Sequence, residues 1–101
     1  MRGELKVRSI LVEKYAPDIR RIARRHGVIG LRVFGSHASG RAHAASDVDL
    51  LVQLKPDRDL LDLAEFKLDM EELLGCKVDV VTEAGLSPYL RNEVLLTSKP
   101  L

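Results

Sequence analysis

Residues 33–52, VFGSHASGRAHAASDVDLLV, constrain this chain more than any other stretch. An apolar run ends at Gly35, Gly40 follows after four residues, and Asp47 and Asp49 stand at the start of the next apolar run. Such a stretch could be a phosphate-binding P-loop, a different nucleotide site, or a plain strand–turn–strand. The P-loop requires Lys and then Ser or Thr directly after its second glycine, the Lys to reach the phosphates and the hydroxyl to hold Mg²⁺. Here Arg41 and Ala42 follow Gly40. A broad guanidinium is a poor substitute for a compact ammonium in a tight cradle. Residues 41–46, RAHAAS, read as a loop and not as the long helix that a P-loop opens. The P-loop is excluded.

What remains still suits phosphate and metal. Gly35 lets backbone approach a ligand closely. SHAS (36–39) reads as one helical turn with Ser36 as its N-cap and Gly40 ending it, so free backbone amides and the Ser36 hydroxyl could meet an anion. Asp47 and Asp49 lie two apart at the start of a strand and so point to the same side. Two carboxylates side by side repel unless a cation sits between them, and Mg²⁺ is typically held by one or two carboxylates together with substrate phosphates. Asp79, flanked by Val78 and Val80 in KVDVV, lies in a third strand-like run, where a buried carboxylate needs a partner or a metal. If the second and third strands are neighbours, three carboxylates gather and could hold two ions, the layout of metal-assisted phosphoryl or nucleotidyl transfer. Each element alone says little, because Asp-x-Asp is common at turns and Asp79 could simply face solvent. The ordered set is what points to chemistry.

The rest of the chain supplies the frame. Residues 4–26 read as helical, with Pro17 either kinking one helix or starting a second, and Gly27 as a C-cap. Strands are expected at 28–34, 48–54 and 77–82. An amphipathic helix is expected over 59–74, with Leu60, Leu63, Phe66, Met70, Leu73 and Leu74 along one side. A last helix follows in 86–97, with Ser87 as N-cap and Pro88 at its first position. The order helix, strand, loop, strand, helix, strand, helix predicts a small α/β (α+β) domain over 1–101, with helices packed on a mixed core sheet of about three strands.

Composition narrows the function. Residues 1–43 carry ten Lys/Arg against three Asp/Glu, whereas 44–101 carry six against twelve. The basic half could face phosphates or an acidic partner, although the Arg20, Arg21, Arg24, Arg25 cluster reads first as a solvated helix face. There is no Trp and little other aromatic content, which argues against base-stacking platforms and direct nucleic-acid binding. Cys76 is the single cysteine, which excludes an internal disulfide and a Cys-based zinc cluster; with no membrane-length apolar run, a cytoplasmic location is expected. His26, His37 and His43 lack metal-ligand spacing and read as ordinary, His37 as exposed; Tyr15 and Tyr89 read as core-edge residues.

Gly35-Ser36, a ten-residue spacer, Asp47-Val48-Asp49 and then Asp79 resemble the pattern of the nucleotidyltransferase superfamily that includes DNA polymerase beta. Within it, the short length, GSHASGRAHAASDVDLLV and ELLGCKVDVVT resemble the minimal nucleotidyltransferases over roughly residues 15–97. The resemblance implies an antitoxin paired with a helical HEPN-domain RNase toxin, transferring AMP from ATP onto a toxin tyrosine hydroxyl. It implies that Gly35 and Ser36, with Gly40 and Arg41 nearby, bind the triphosphate. It also implies that Asp47 and Asp49 hold Mg²⁺, two ions being expected, and that Asp79 completes the metal site or acts as general base. One departure is Ser39, where many relatives carry Arg; Arg41 is near enough to compensate. Two rivals stand beside this reading: an antitoxin that neutralises its partner by binding alone, and a nucleotidyltransferase with a small-molecule acceptor held by a partner chain.

Overall fold

A computed structural model of the chain describes residues 10–39 and 47–101. Helix α1 runs Ile10–Arg25, and Gly27 at φ +77° closes it. Pro17 lies inside α1, so the segment is one helix. The lost backbone hydrogen bond is offset by the inward stripe Val12, Ala16, Ile19, Ile22 and Ala23, all buried. Strand β1 (Val28–Phe34) leads into the short turn α2 (Ser36–Ser39), and β2 spans Val48–Leu54. Helix α3 (Leu60–Leu74) begins at a capping box in which the Asp59 side chain accepts from Asp62 N–H while the Asp62 side chain accepts from Asp59 N–H. It ends at left-handed Gly75. Strand β3 (Val78–Thr82), a single 3₁₀ turn, helix α4 (Pro88–Thr97) and strand β4 (Lys99–Pro100) complete the order.

The sheet is mixed, with order β3-β2-β1-β4. β1 and β2 are antiparallel, β2 and β3 parallel, and β4 is antiparallel to β1. The expected three strands are all present. The fourth escaped the sequence because two residues, one of them proline, carry no periodicity. Lys99-Pro100 is also what a blunted sheet edge looks like.

One face of this sheet makes the core. Val33, Val48, Leu50, Val52 and Val78 meet α1 and α3 there, around fully buried Phe66 and Met70. Burying a Phe or Leu side chain contributes about 1.5–3 kcal/mol each, so this layer supplies most of the drive to fold. The alternate residues point to the opposite face: Arg32 and Phe34 of β1, Asp49, Leu51 and Gln53 of β2, and Asp79 of β3. α4 joins strands at opposite edges of the sheet and so must cross it. It crosses the second face, where its Leu95 lines a groove of about 690 Å³ with Arg32, Leu51 and Gln53. Arg32 ties down the end of that crossing, with Nε donating to Ser98 Oγ at 2.6 Å and Nη2 to the Ser98 carbonyl at 3.0 Å.

Three expectations are corrected. Leu60 does not join the α3 core stripe. The first turn of the helix leaves Leu60 and Leu61 in solvent, and Phe66, Met70 and Leu74 make the contact. Tyr89 is exposed, because α4 buries none of its own residues. His37 is buried at 2 % exposure, because α2 folds against β1 and β2 and turns that side chain inward.

Candidate active site

The parallel pairing of β2 and β3 sets Asp49 directly opposite Asp79. Both lie on the sheet face that the core helices leave open. Burial, then the Asp79 charge and hydrogen bond, then the charge of Asp47, push Asp49 up to about 6. Asp47 precedes β2 and is exposed; its charge is felt at Asp49, but its carboxylate does not close up with Asp49 and Asp79 into one tight group. Glu71 of α3 anchors the start of β3 by accepting from Val78 N–H at 3.1 Å, which fixes the register that brings Asp79 to Asp49.

Gly35 joins this pair to the loop. Its φ of +71° lies in the left-handed region, and a Cβ built there would run into Asp49 Oδ2. The carboxylate therefore rests on the loop backbone. A side chain at position 35 would fill the space where loop amides and carboxylate meet. The expected helical turn over 36–39 is present, with Ser36 as its first residue, directly after this glycine, and not as the cap before it. Gly40 and Arg41, the remaining candidates for the triphosphate, lie outside the described residues, as do Ala42 and His43.

This arrangement fits a divalent cation on chemical grounds. Asp49 holds a proton more tightly than an ordinary carboxyl because burial, and then its acidic neighbours, disfavour its charge; a cation placed beside it would offset both. Asp47, Asp49 and Asp79 are the residues that would hold it, with open backbone at Gly35 beside them for phosphate oxygens.

A second cluster was not foreseen in the sequence. His26, Asp62 and Glu65 are three ligand-type side chains whose donor atoms all fall within 4.8 Å of one another, closer than the loop aspartates draw together. Two of its members are already engaged. His26 Nε2 meets Asp69 Oδ2 at 2.6 Å, while Asp62 accepts from Arg58 Nη1 at 3.1 Å and from Asp59 N–H. The group clamps the end of α1 to α3. Spacing along α3 (62, 65, 69) could have shown one acidic face, but not that His26 would land on it. Cys76 is partly buried at the core edge, and burial raises its thiol.

Comparison with known proteins identifies the family. Residues 16–99 match the nucleotidyltransferase domain model. The protein adenylyltransferase MntA of Thermococcus cleftensis is 39% identical over 71 residues, covering 70% of this chain and 72% of that one. A Methanocaldococcus jannaschii protein provisionally given the same activity is also 39% identical over 71 residues, covering 70% of this chain and 76% of its own. Among solved structures, a provisionally named minimal nucleotidyltransferase superposes with a TM-score of 0.78 at 45% identity, covering 89% of this chain and 95% of that one. A mutant MntA toxin–antitoxin complex superposes with a TM-score of 0.72 at 25% identity, covering 85% and 70%. The chain belongs to the nucleotidyltransferase domain family. Within that family it is of the minimal kind, with MntA among its homologues.

Proposed function

We propose that this chain is the antitoxin of a toxin–antitoxin pair and acts as an Mg²⁺-dependent protein adenylyltransferase. It moves AMP from ATP to a tyrosine hydroxyl of a HEPN-domain RNase toxin in the cytoplasm. One observation carries the reading: Asp49 faces Asp79 across two parallel strands while resting on the backbone of Gly35. That juxtaposition supports reading loop backbone and acidic pair as one site, and the homologues' activity as protein adenylyltransferases supports the chemistry assigned to it.

In this reading the Gly35–Ser36 backbone, with Gly40 and Arg41, holds the triphosphate and keeps the α-phosphorus beside the aspartates. Asp47 and Asp49 hold the metal, and Asp79 either completes that set or takes the proton of the acceptor hydroxyl. The hydroxyl oxygen forms the new bond to the α-phosphorus, the α–β bridging bond breaks, and pyrophosphate leaves with its electron pair. The cation, when bound, neutralises charge that develops on the α-phosphate and leaving group. The acceptor surface belongs to the partner.

The test uses ATP labelled on the α-phosphate, Mg²⁺ and the toxin encoded beside this chain, with wild type run against the Asp47→Asn/Asp49→Asn double variant. Label is expected on the toxin with wild type and not with the variant. A toxin that stays unlabelled yet co-purifies with the wild-type chain would replace transfer by neutralisation through binding alone.

A further inference from the structure

α1 presents Arg20, Arg21, Arg24 and Arg25 to solvent. The protein supplies an acid for one of these and for several other cations: Arg21 to Asp18 at 3.0 Å, Arg58 to Asp62 at 3.1 Å, Lys67 to Glu71 at 3.4 Å and Arg91 to Glu83 at 3.5 Å. Arg20, Arg24 and Arg25 have no ion-pair partner among the described residues, and neither does Lys55. Arg20 and Arg24 stand one turn apart on the same side of the helix, where like charges repel and cost the isolated chain stability.

These cations surround something apolar. Between α1 and the β1–β4 side of the sheet lies a groove of about 490 Å³, with Arg20, Arg24 and Lys55 at its rim and Ile29, Leu31 and Leu101 within it. Ile29 is 57% exposed, a branched apolar side chain left in water on a strand. The two features together select the occupant. Nucleic-acid phosphates would satisfy the rim but leave the apolar floor wet, and the groove offers no aromatic ring for a base to stack on. A protein segment with carboxylates flanking an apolar side chain satisfies both. Ile29 and Gly35 are separated by most of β1, roughly 20 Å at about 3.3 Å per residue, so the groove is not part of the transfer site.

We infer that this groove is a docking site for the partner protein, which lays an acidic, amphipathic segment on it: carboxylates against Arg20, Arg24 and Lys55, an apolar side chain against Ile29. The inference rests on the toxin–antitoxin reading. It adds that the partner is held at a distance from the aspartates, so that docking and transfer are separable.

The experiment measures association of the chain with the toxin encoded beside it across a range of salt. It uses wild type, Arg20→Glu/Arg24→Glu, Arg20→Lys/Arg24→Lys and Ile29→Ser. Because all three positions are exposed, folding is checked by thermal melting and expected to be unchanged. Charge reversal is expected to weaken the complex at least about tenfold, mainly by slower association, and to flatten its salt dependence. The lysine variant should stay within about threefold of wild type, and Ile29→Ser should speed release while keeping the salt dependence. AMP labelling at saturating toxin should match wild type in every variant. A complex whose affinity and salt dependence survive charge reversal overturns the docking site and leaves the transferase reading standing. So does a groove that binds a short RNA in an Arg20/Arg24-dependent way while toxin affinity is unmoved. A wild-type chain that forms no complex ends the antitoxin reading, and the docking site with it. Loss of label with the complex intact would count against transfer alone.

Discussion

The same strands carry two unlike faces. On the covered face Val48, Leu50 and Val52 of β2 are almost wholly buried against α1 and α3. The open face, crossed by α4, buries Leu51 but leaves Asp49 and Gln53 more exposed, and in β3 Asp79 stands between Val78 and Val80. One residue of register separates packing from chemistry. The covered face gains stability from every contact. The open face gives some back, since Asp49 and Asp79 repel and Asp49 is held at about 6 by burial and its neighbours. The candidate site thus sits where the fold holds an acid against its neighbours' charge.

Five measurements would break or sharpen that contrast. The largest effect is expected on the open face: Asp47→Asn/Asp49→Asn should cut AMP transfer roughly a thousandfold or more, about 4 kcal/mol in barrier, without lowering the melting temperature. A variant that melts early instead would make the pair structural. On the covered face Phe66→Ala should cost about 3–5 kcal/mol, enough to unfold a domain of this size near body temperature, as read by denaturant titration. Gly35→Ala couples the two faces. Left-handed backbone should cost about 1–2 kcal/mol, a drop of several degrees in melting temperature, and the added Cβ should displace Asp49 and weaken nucleotide binding measured by calorimetry.

The fourth measurement concerns pH. Asp49 in the folded chain sits at about 6 against an ordinary value of 3.8, so the folded state binds this proton more tightly than the unfolded state. In metal-free protein its contribution should therefore raise stability as pH falls from neutral through about 6 towards 4, and lower it as pH rises again. Melting curves of wild type minus Asp49→Asn isolate that slope, and a flat difference would mean that the repulsion is relieved some other way. Added Mg²⁺ should stabilise wild type more above about pH 6 than below it, because the proton and the cation compete for the same carboxylate. The smallest effect belongs to Leu60→Ser. With that side chain 78% exposed, the change should stay within about 0.5 kcal/mol; a larger loss would restore Leu60 to the core stripe.

Much of the site could be read from residue types and spacing. Gly35, Asp49 and Asp79, singled out from the ordered motif, do come together in the structure, and period-2 alternation tells that Asp49 lies on the face opposite its apolar neighbours. What stayed hidden was non-local. His37 reads as polar loop, and only the packing of α2 on β1 and β2 buries it. The network of His26 with Asp62, Glu65 and Asp69 joins residues about forty positions apart, for which spacing has no signal. Leu60 fits a helical stripe by period, yet period cannot say where along its length a helix stops meeting the sheet.

By itself the sequence determined the α/β class, three of the four strands, the helix caps at Ser87 and Gly27, and a glycine loop followed by carboxylates. These depend on backbone preference and on apolar period, which act over a few residues. Only the tertiary structure decided that β2 and β3 are parallel neighbours with Asp49 opposite Asp79, that Gly35 lies against that carboxylate, and that Arg20, Arg24 and Lys55 ring an apolar groove. Strand order and register are set by the summed burial of the whole covered face. A one-residue slip would send Val48, Leu50 and Val52 into solvent, and that global cost, which no local stretch encodes, is what brings the aspartates together.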